Sequence, residues 1–265
     1  MTRPSWQDYG TYDESAYPQL WNGVVGTWCP FLGPTGSRQH DLSWSRVWQD
    51  SVSLPSYDLR GGVMGVIGNP QLSGATPAHY LGLTEATAFM WVFKSSQTDS
   101  VVCAPLTGAN GSRFGISWNS DGNLYASIES QGQNNYATRS LTGSGTRLIG
   151  LQYRGITGNT VSGVWVDGVR TAGPTAPSSL RTTASTSSLT TDGFGSTSAN
   201  GAVFGMMFWR RCLTDNEMAE ISRIGLPPLF DRRRRALRRV AVEQAAAFRA
   251  YWARRQNQNI VGDGG

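Results

Sequence analysis

The stretch AVFGMMFWRRCLTDNEMAEIS, residues 202–222, joins an unbroken apolar run to a helix start. Eight apolar or glycine positions with three aromatic residues read as a strand buried on both faces. Thr214 then stands three residues before Glu217, the spacing of a capping box, in which each side chain satisfies a free backbone amide of the other. Glu217 and its acidic neighbours Asp215 and Glu220 therefore have a structural explanation, since carboxylates near a helix start are favoured by its dipole.

Working back along the chain, short runs alternate with turn signals. AFMWVFK (88–94), VVCAP (101–105), RFGISW (113–118), NLYASIES (123–130), TRLIGLQYR (146–154) and SGVWV (162–166) read as strands. Asp121-Gly122 and Asp167-Gly168 sit between consecutive runs and read as hairpin turns, because glycine accepts a positive φ. AGPTAPSSLRTTASTSS (172–188) is poor in apolar residues and reads as a surface loop. With 32 glycines, 39% hydrophobic and 15% charged residues in 265, the composition is that of a folded all-β protein with many turns.

The two ends read differently. Residues 1–50 hold Trp6, Trp21, Trp28, Trp44 and Trp48 with Tyr9, Tyr12 and Tyr17 in a Pro- and Gly-punctuated stretch. Such a segment buries area without regular structure, and packing of an irregular arm explains it better than a sugar site. At the other end, Asp231 opens a predicted helix to Arg255 with Leu237, Ala241, Ala245, Phe248 and Trp252 on one face. The stretch 231–255 carries nine arginines against Asp231 and Glu243, or +7, which leaves about −2 for residues 1–230 out of the total of +5.

Other chemistry is excluded by pattern. Cys29, Cys103 and Cys212 are odd in number and widely spaced, so neither a disulfide framework nor a zinc site is expected, and buried free thiols are. The first residues lack a secretory signal, and no run approaches the roughly 20 apolar residues of a membrane span. His40 and His79 sit in no nucleophile or metal motif, the glycines at 108–111 make no phosphate loop, and no strand carries the paired carboxylates of a glycoside hydrolase. The expectation is a non-enzyme with no catalytic residue, no metal and no cofactor.

From about 57 to 224 the order of signals resembles the laminin-G-like, concanavalin-A-like jelly-roll domains. AFMWVFK, SGVWVDGVR and MMFWRRCLTDNEMAEI carry the resemblance, the last by its strand, Arg, Leu and capped helix at set offsets. GVVGTWCPFLGPTGSRQHDLS (23–43) is similar to the lead-in of such domains in phage-encoded and related bacterial proteins, which often end in an arginine cluster like LPPLFDRRRR. YDLRGGVMGVI (57–67) departs from the family, with Met64-Gly65 where a second Asp is usual, so the calcium site of related domains is not carried over.

The resemblance implies a mainly β, two-sheet jelly-roll sandwich at 51–228, with the irregular arm at 1–50 and an Arg-rich C-terminal α-helix and tail at 229–265. It implies a structural virion protein, a decoration or appendage anchored to capsid, neck or tail proteins, and a homo-oligomer. Arginine at a helix start is disfavoured by the dipole and calls for an external acidic partner. Arg232, Arg233, Arg234, Arg235, Arg238 and Arg239, with Phe248, Tyr251 and Trp252, are the expected partner-binding residues. Two alternatives stand beside this reading. One is a carbohydrate-binding, lectin-like module that contacts cell-surface glycans; the other is a nucleic-acid contact through the arginine tail.

Overall fold

The computed structural model describes residues 15–30, 38–40, 48–50, 56–57, 63–64, 72–75, 80–108, 111–130, 133–156, 159–175, 179–180, 186–190 and 201–231. Within them, sixteen strands form two antiparallel sheets packed as a sandwich. The first sheet contains β1 (Val24–Trp28), β4 (Ser56–Tyr57), β5 (Val63–Met64), β7 (Glu85–Lys94), β12 (Gly145–Ile156), β13 (Asn159–Val166), β14 (Val169–Ala172) and β16 (Gly201–Trp209). Its order is β14-β13-β12-β7-β16-β5-β4, and β1 also pairs with β16. The second sheet contains β2 (Arg38–His40), β3 (Trp48–Asp50), β6 (Leu72–Ala75), β8 (Val101–Gly108), β9 (Gly111–Trp118), β10 (Asn123–Ser130), β11 (Gln133–Ser140) and β15 (Thr186–Thr190). Its order is β11-β10-β9-β8-β15-β6-β3-β2. The mainly β, two-sheet sandwich read from the sequence is the observed fold class.

Strand parity sorts the side chains. On β7, Ala86, Ala88, Met90 and Val92 face the second sheet, where they meet Phe114, Ile116 and Trp118 of β9 and Leu124 and Ile128 of β10. Phe89 and Trp91 point the other way, toward a second apolar layer outside the first sheet. That layer is built by helix α1 (Pro18–Trp21), helix α2 (Asp215–Ile224) and a 3₁₀ turn at Pro227–Phe230. Strand β16 lies between both layers and all nine of its residues are buried, as the apolar run at 202–210 suggests for a central strand.

The structure departs from the sequence expectation for the described part of the arm. Residues 15–30 are not irregular: they hold α1 and β1, and Leu20, Trp21, Val24 and Cys29 pack on the first sheet while Trp28 enters the sandwich interior. The tryptophans here are core because each brings apolar area, and their polar tips find acceptors where the geometry allows. Trp21 Nε1 donates to the Leu229 carbonyl at 2.8 Å, and Trp209 Nε1 to that of Leu20 at 2.6 Å. Strand β15 likewise begins at Thr186, inside the stretch 172–188 read as loop, since pairing with β8 and β6 overrides a weak local pattern.

The capping box forms as the spacing predicts. Thr214 Oγ1 accepts the Glu217 amide at 3.3 Å, and Glu217 Oε2 accepts the Thr214 amide at 2.8 Å. Helix α2 then approaches the sheet over Gly150 of β12, where an added Cβ would stand 2.8 Å from Met218 Cε and 2.9 Å from Phe89 Cε1. A side chain there must displace the Met218 tip and the Phe89 ring. Gly150→Val is expected to cost about 1–3 kcal/mol in urea denaturation, the range of core overpacking, whereas substitution at exposed Arg210 changes little.

A pH effect follows from the same helix. Burial alone would raise the Glu217 carboxyl, but bonds from Arg211 and Thr214 outweigh it and hold it below the usual carboxylate range. A depressed carboxylate contributes stability above its unfolded pKa and loses it as pH falls through the folded value. Glu217→Gln is therefore expected to lower stability at pH 7 and to flatten the acid limb of stability against pH, measured by denaturant titration between pH 7 and 3.

Candidate functional site

A groove of about 380 Å³ opens beside the C-terminal end of α2 on the outer face of the first sheet. Its floor is Trp91 of β7 with Thr146 and Leu148 of β12. One wall is Asp167, in the β13–β14 turn. The other is Ser222 and Arg223 of α2, continued by the backbone at Gly225 and the ring of Pro227. An indole floor beside hydroxyl, carboxylate and guanidinium groups suits a ligand that is apolar on one face and polar at its edge.

Each part is held by the fold. The Trp91 ring packs at a tilt of 44° on Phe204 of β16 with centroids 4.8 Å apart, and Trp91 is only half-buried. Asp167 has φ 49° and Gly168 φ 86°, the pair of positive values that a two-residue hairpin turn needs, and aspartate tolerates this region better than most residues. The Asp167 amide donates to the Leu148 carbonyl at 3.0 Å, and Asp167 Oδ1 accepts the Leu148 amide at 3.1 Å. Arg147 lies 3.4 Å from Asp167 Oδ2. Across the groove, Ser222 Oγ donates back to the Met218 carbonyl at 2.8 Å, and Gly225, with φ 78°, ends the helix by donating to Ile221 at 2.8 Å.

The sequence-predicted site residues are not among those described. Arg232, Arg233, Arg234, Arg235, Arg238, Arg239, Phe248, Tyr251 and Trp252 fall outside the described residues, as do Trp6, Trp44 and His79. The acidic cluster on α2 is bound internally: Asp215 accepts from Gln152 Nε2 at 3.0 Å, and both Glu217 oxygens accept from Arg211 at 2.7 and 2.9 Å. The three cysteines are buried free thiols. Burial pushes the Cys212 thiol up to about 11, against the pull of Arg154, so it is protonated at neutral pH.

Lys94, the chain's single lysine, is fully buried at the end of β7. Its ammonium donates to the Asn119 carbonyl at 2.6 Å and lies 4.9 Å above the Trp118 ring. Burial lowers its pKa, while Asp99 and Asp121 oppose the shift. It pins the β9–β10 turn and reaches no cleft described here.

With this geometry established, comparison with known proteins locates the fold. No family model and no curated protein matches the sequence. Solved structures do match. A Trypanosoma rangeli sialidase in complex with sialic acid superposes with a TM-score of 0.52 at 13% identity over 76% of this chain. The receptor-binding domain of botulinum neurotoxin D gives 0.57 at 6% identity over 77%, and a botulinum neurotoxin type C structure, whose cell entry depends on two ganglioside molecules, gives 0.53 at 10% over 79%. The chain spans 33% of the sialidase and 53% of each of these neurotoxin chains, so what is shared is the sandwich.

These neighbours correct one expectation. A non-enzyme was read from the absence of paired carboxylates, yet a sialidase contains the same sandwich, so the reading from pattern does not stand. None of the three is a phage protein.

The turn supports one test of the groove wall. Asp167→Val places a β-branched residue at positive φ and removes the acceptor of the Leu148 amide. It is expected to lower the melting temperature, with a loss of about 1–3 kcal/mol, whereas Asp167→Gly keeps the turn and loses less.

Proposed function

We propose that the protein is a carbohydrate-binding, lectin-like sandwich that takes a saccharide in the groove beside α2. The observation that carries this reading is a groove lined by the half-buried Trp91 indole together with hydroxyl and charged groups. A pyranose has the matching character, with C–H bonds that pack on an indole and a rim of hydroxyls that both donate and accept. Thr146 and Ser222 offer hydroxyls, Asp167 accepts, and Arg223 donates. Gly225 and Pro227 keep the rim of the wall close to the floor.

The neighbours support the same class. The sialidase is in complex with sialic acid, and cell entry of neurotoxin type C depends on interaction with two ganglioside molecules, so sandwiches of this shape occur in proteins that meet sugars. The virion setting read from residues 23–43 and the arginine run is the proposed context, in which an appendage would meet a glycan on the host surface.

A glycan array probed with the full chain, followed by calorimetric titration of the retained glycans, tests this. Trp91→Ala is expected to weaken binding at least about tenfold, the upper range of an aromatic contact, and Arg223→Ala to weaken it without altering the melting temperature. An array without signal, or retained glycans bound equally by Trp91→Ala, overturns the reading.

A further inference from the structure

We infer that the groove selects a neutral sugar ring with two adjacent hydroxyls, both received by the carboxylate of Asp167; this rests on the saccharide reading above. A carboxylate has about four lone-pair sites, two on each oxygen. The fold uses one on each: Oδ1 takes the Leu148 amide at 3.1 Å and Oδ2 faces Arg147 at 3.4 Å. One acceptor position therefore stays open on each oxygen of a side chain that is 45% exposed and lines the groove. Because Leu148 grips both the backbone and the carboxylate of Asp167, the carboxylate is held in place on the groove wall.

The charges argue for a neutral ligand. Asp167 is matched by Arg147, so the pair exerts no net pull on either sign of ligand. Arg223 is in the last turn of α2, where the carbonyl end of the helix offsets roughly half of its charge, and the exposed guanidinium leaves the rest to be screened by water and salt. What remains is short-range hydrogen bonding, which reads hydroxyl positions. Neighbouring hydroxyls on one ring edge present two donors side by side, as two open acceptors on one carboxylate require. Charged hydrogen bonds of this kind discriminate more sharply than neutral ones.

The test uses the full chain and methyl glycosides of hexoses with adjacent equatorial hydroxyls, their single-deoxy analogues, and the corresponding uronic acids, followed by saturation-transfer NMR and calorimetry. Neutral glycosides are expected to bind. Loss of either hydroxyl of the pair should weaken binding at least about tenfold, as for hydrogen bonds to a charged group. The uronic acid should bind no more tightly than the neutral sugar. Asp167→Asn, which tolerates the same turn, should bring neutral and deoxy sugars to similar affinity, and the deoxy series on the unaltered protein reads the same contact without a variant. A uronic acid that binds more tightly, or deoxy sugars that bind equally while Trp91→Ala still abolishes retention, overturns this inference and leaves the saccharide reading intact. Failure of every sugar overturns that reading itself.

Discussion

The guanidinium of Arg211 joins the parts that make the outer layer. It follows β16, the strand buried on both faces, and donates to the Gln19 carbonyl at 3.2 Å, the Asn22 carbonyl at 2.6 Å and both oxygens of Glu217. One side chain thus ties α1, the lead into β1 and the first turn of α2 to the end of the central strand. Both partners of the ion pair are mostly shielded, with side-chain exposures of 24% and 21%, so neither charge is left to water alone. Truncating either would leave a shielded charge and open carbonyls, which costs more than the pair contributes. The groove depends on this arrangement at one remove, since its wall is the far end of the helix that Glu217 caps.

The sandwich was readable because its signals are local. Thr214 and Glu217 announce a helix start three residues apart, and Asp121-Gly122 and Asp167-Gly168 announce turns in two residues each; glycine or aspartate at positive φ is required at 122, 167 and 168, and those residue types are what the eye finds. The outer layer was less readable. Trp21 and Trp28 stand in a stretch with no periodicity, and only their packing against β16 and the 3₁₀ turn gives them a role.

The groove was hidden for a related reason. Trp91 lies inside AFMWVFK, which reads as a core strand, and parity alone does not say whether a layer covers its second face. Phe89, two residues earlier, is covered by that layer; Trp91 stands at its edge. Asp167 was assigned wholly to its turn, and its second use depends on Leu148 and Arg147, which are neighbours through pairing of β12 with β13. Lys94 shows the limit from the other side: nothing in its strand sets it apart, yet among the described residues it is a cation that the fold encloses. Shape alone does not decide function, since a sialidase and neurotoxin domains share this sandwich, and the side chains around an opening must carry that decision.

Near the rim of the outer layer, the Ala16 amide donates to the Asp231 carbonyl at 2.9 Å, and Ser15 Oγ donates to the Leu229 carbonyl at 2.6 Å. The first and last of the described residues therefore meet at one spot. Tension applied between residues 15 and 231 would load those few bonds before it reached the sheets. Under such a pull the outer cover peels first, by unzipping, while the stacked strands carry almost none of the load.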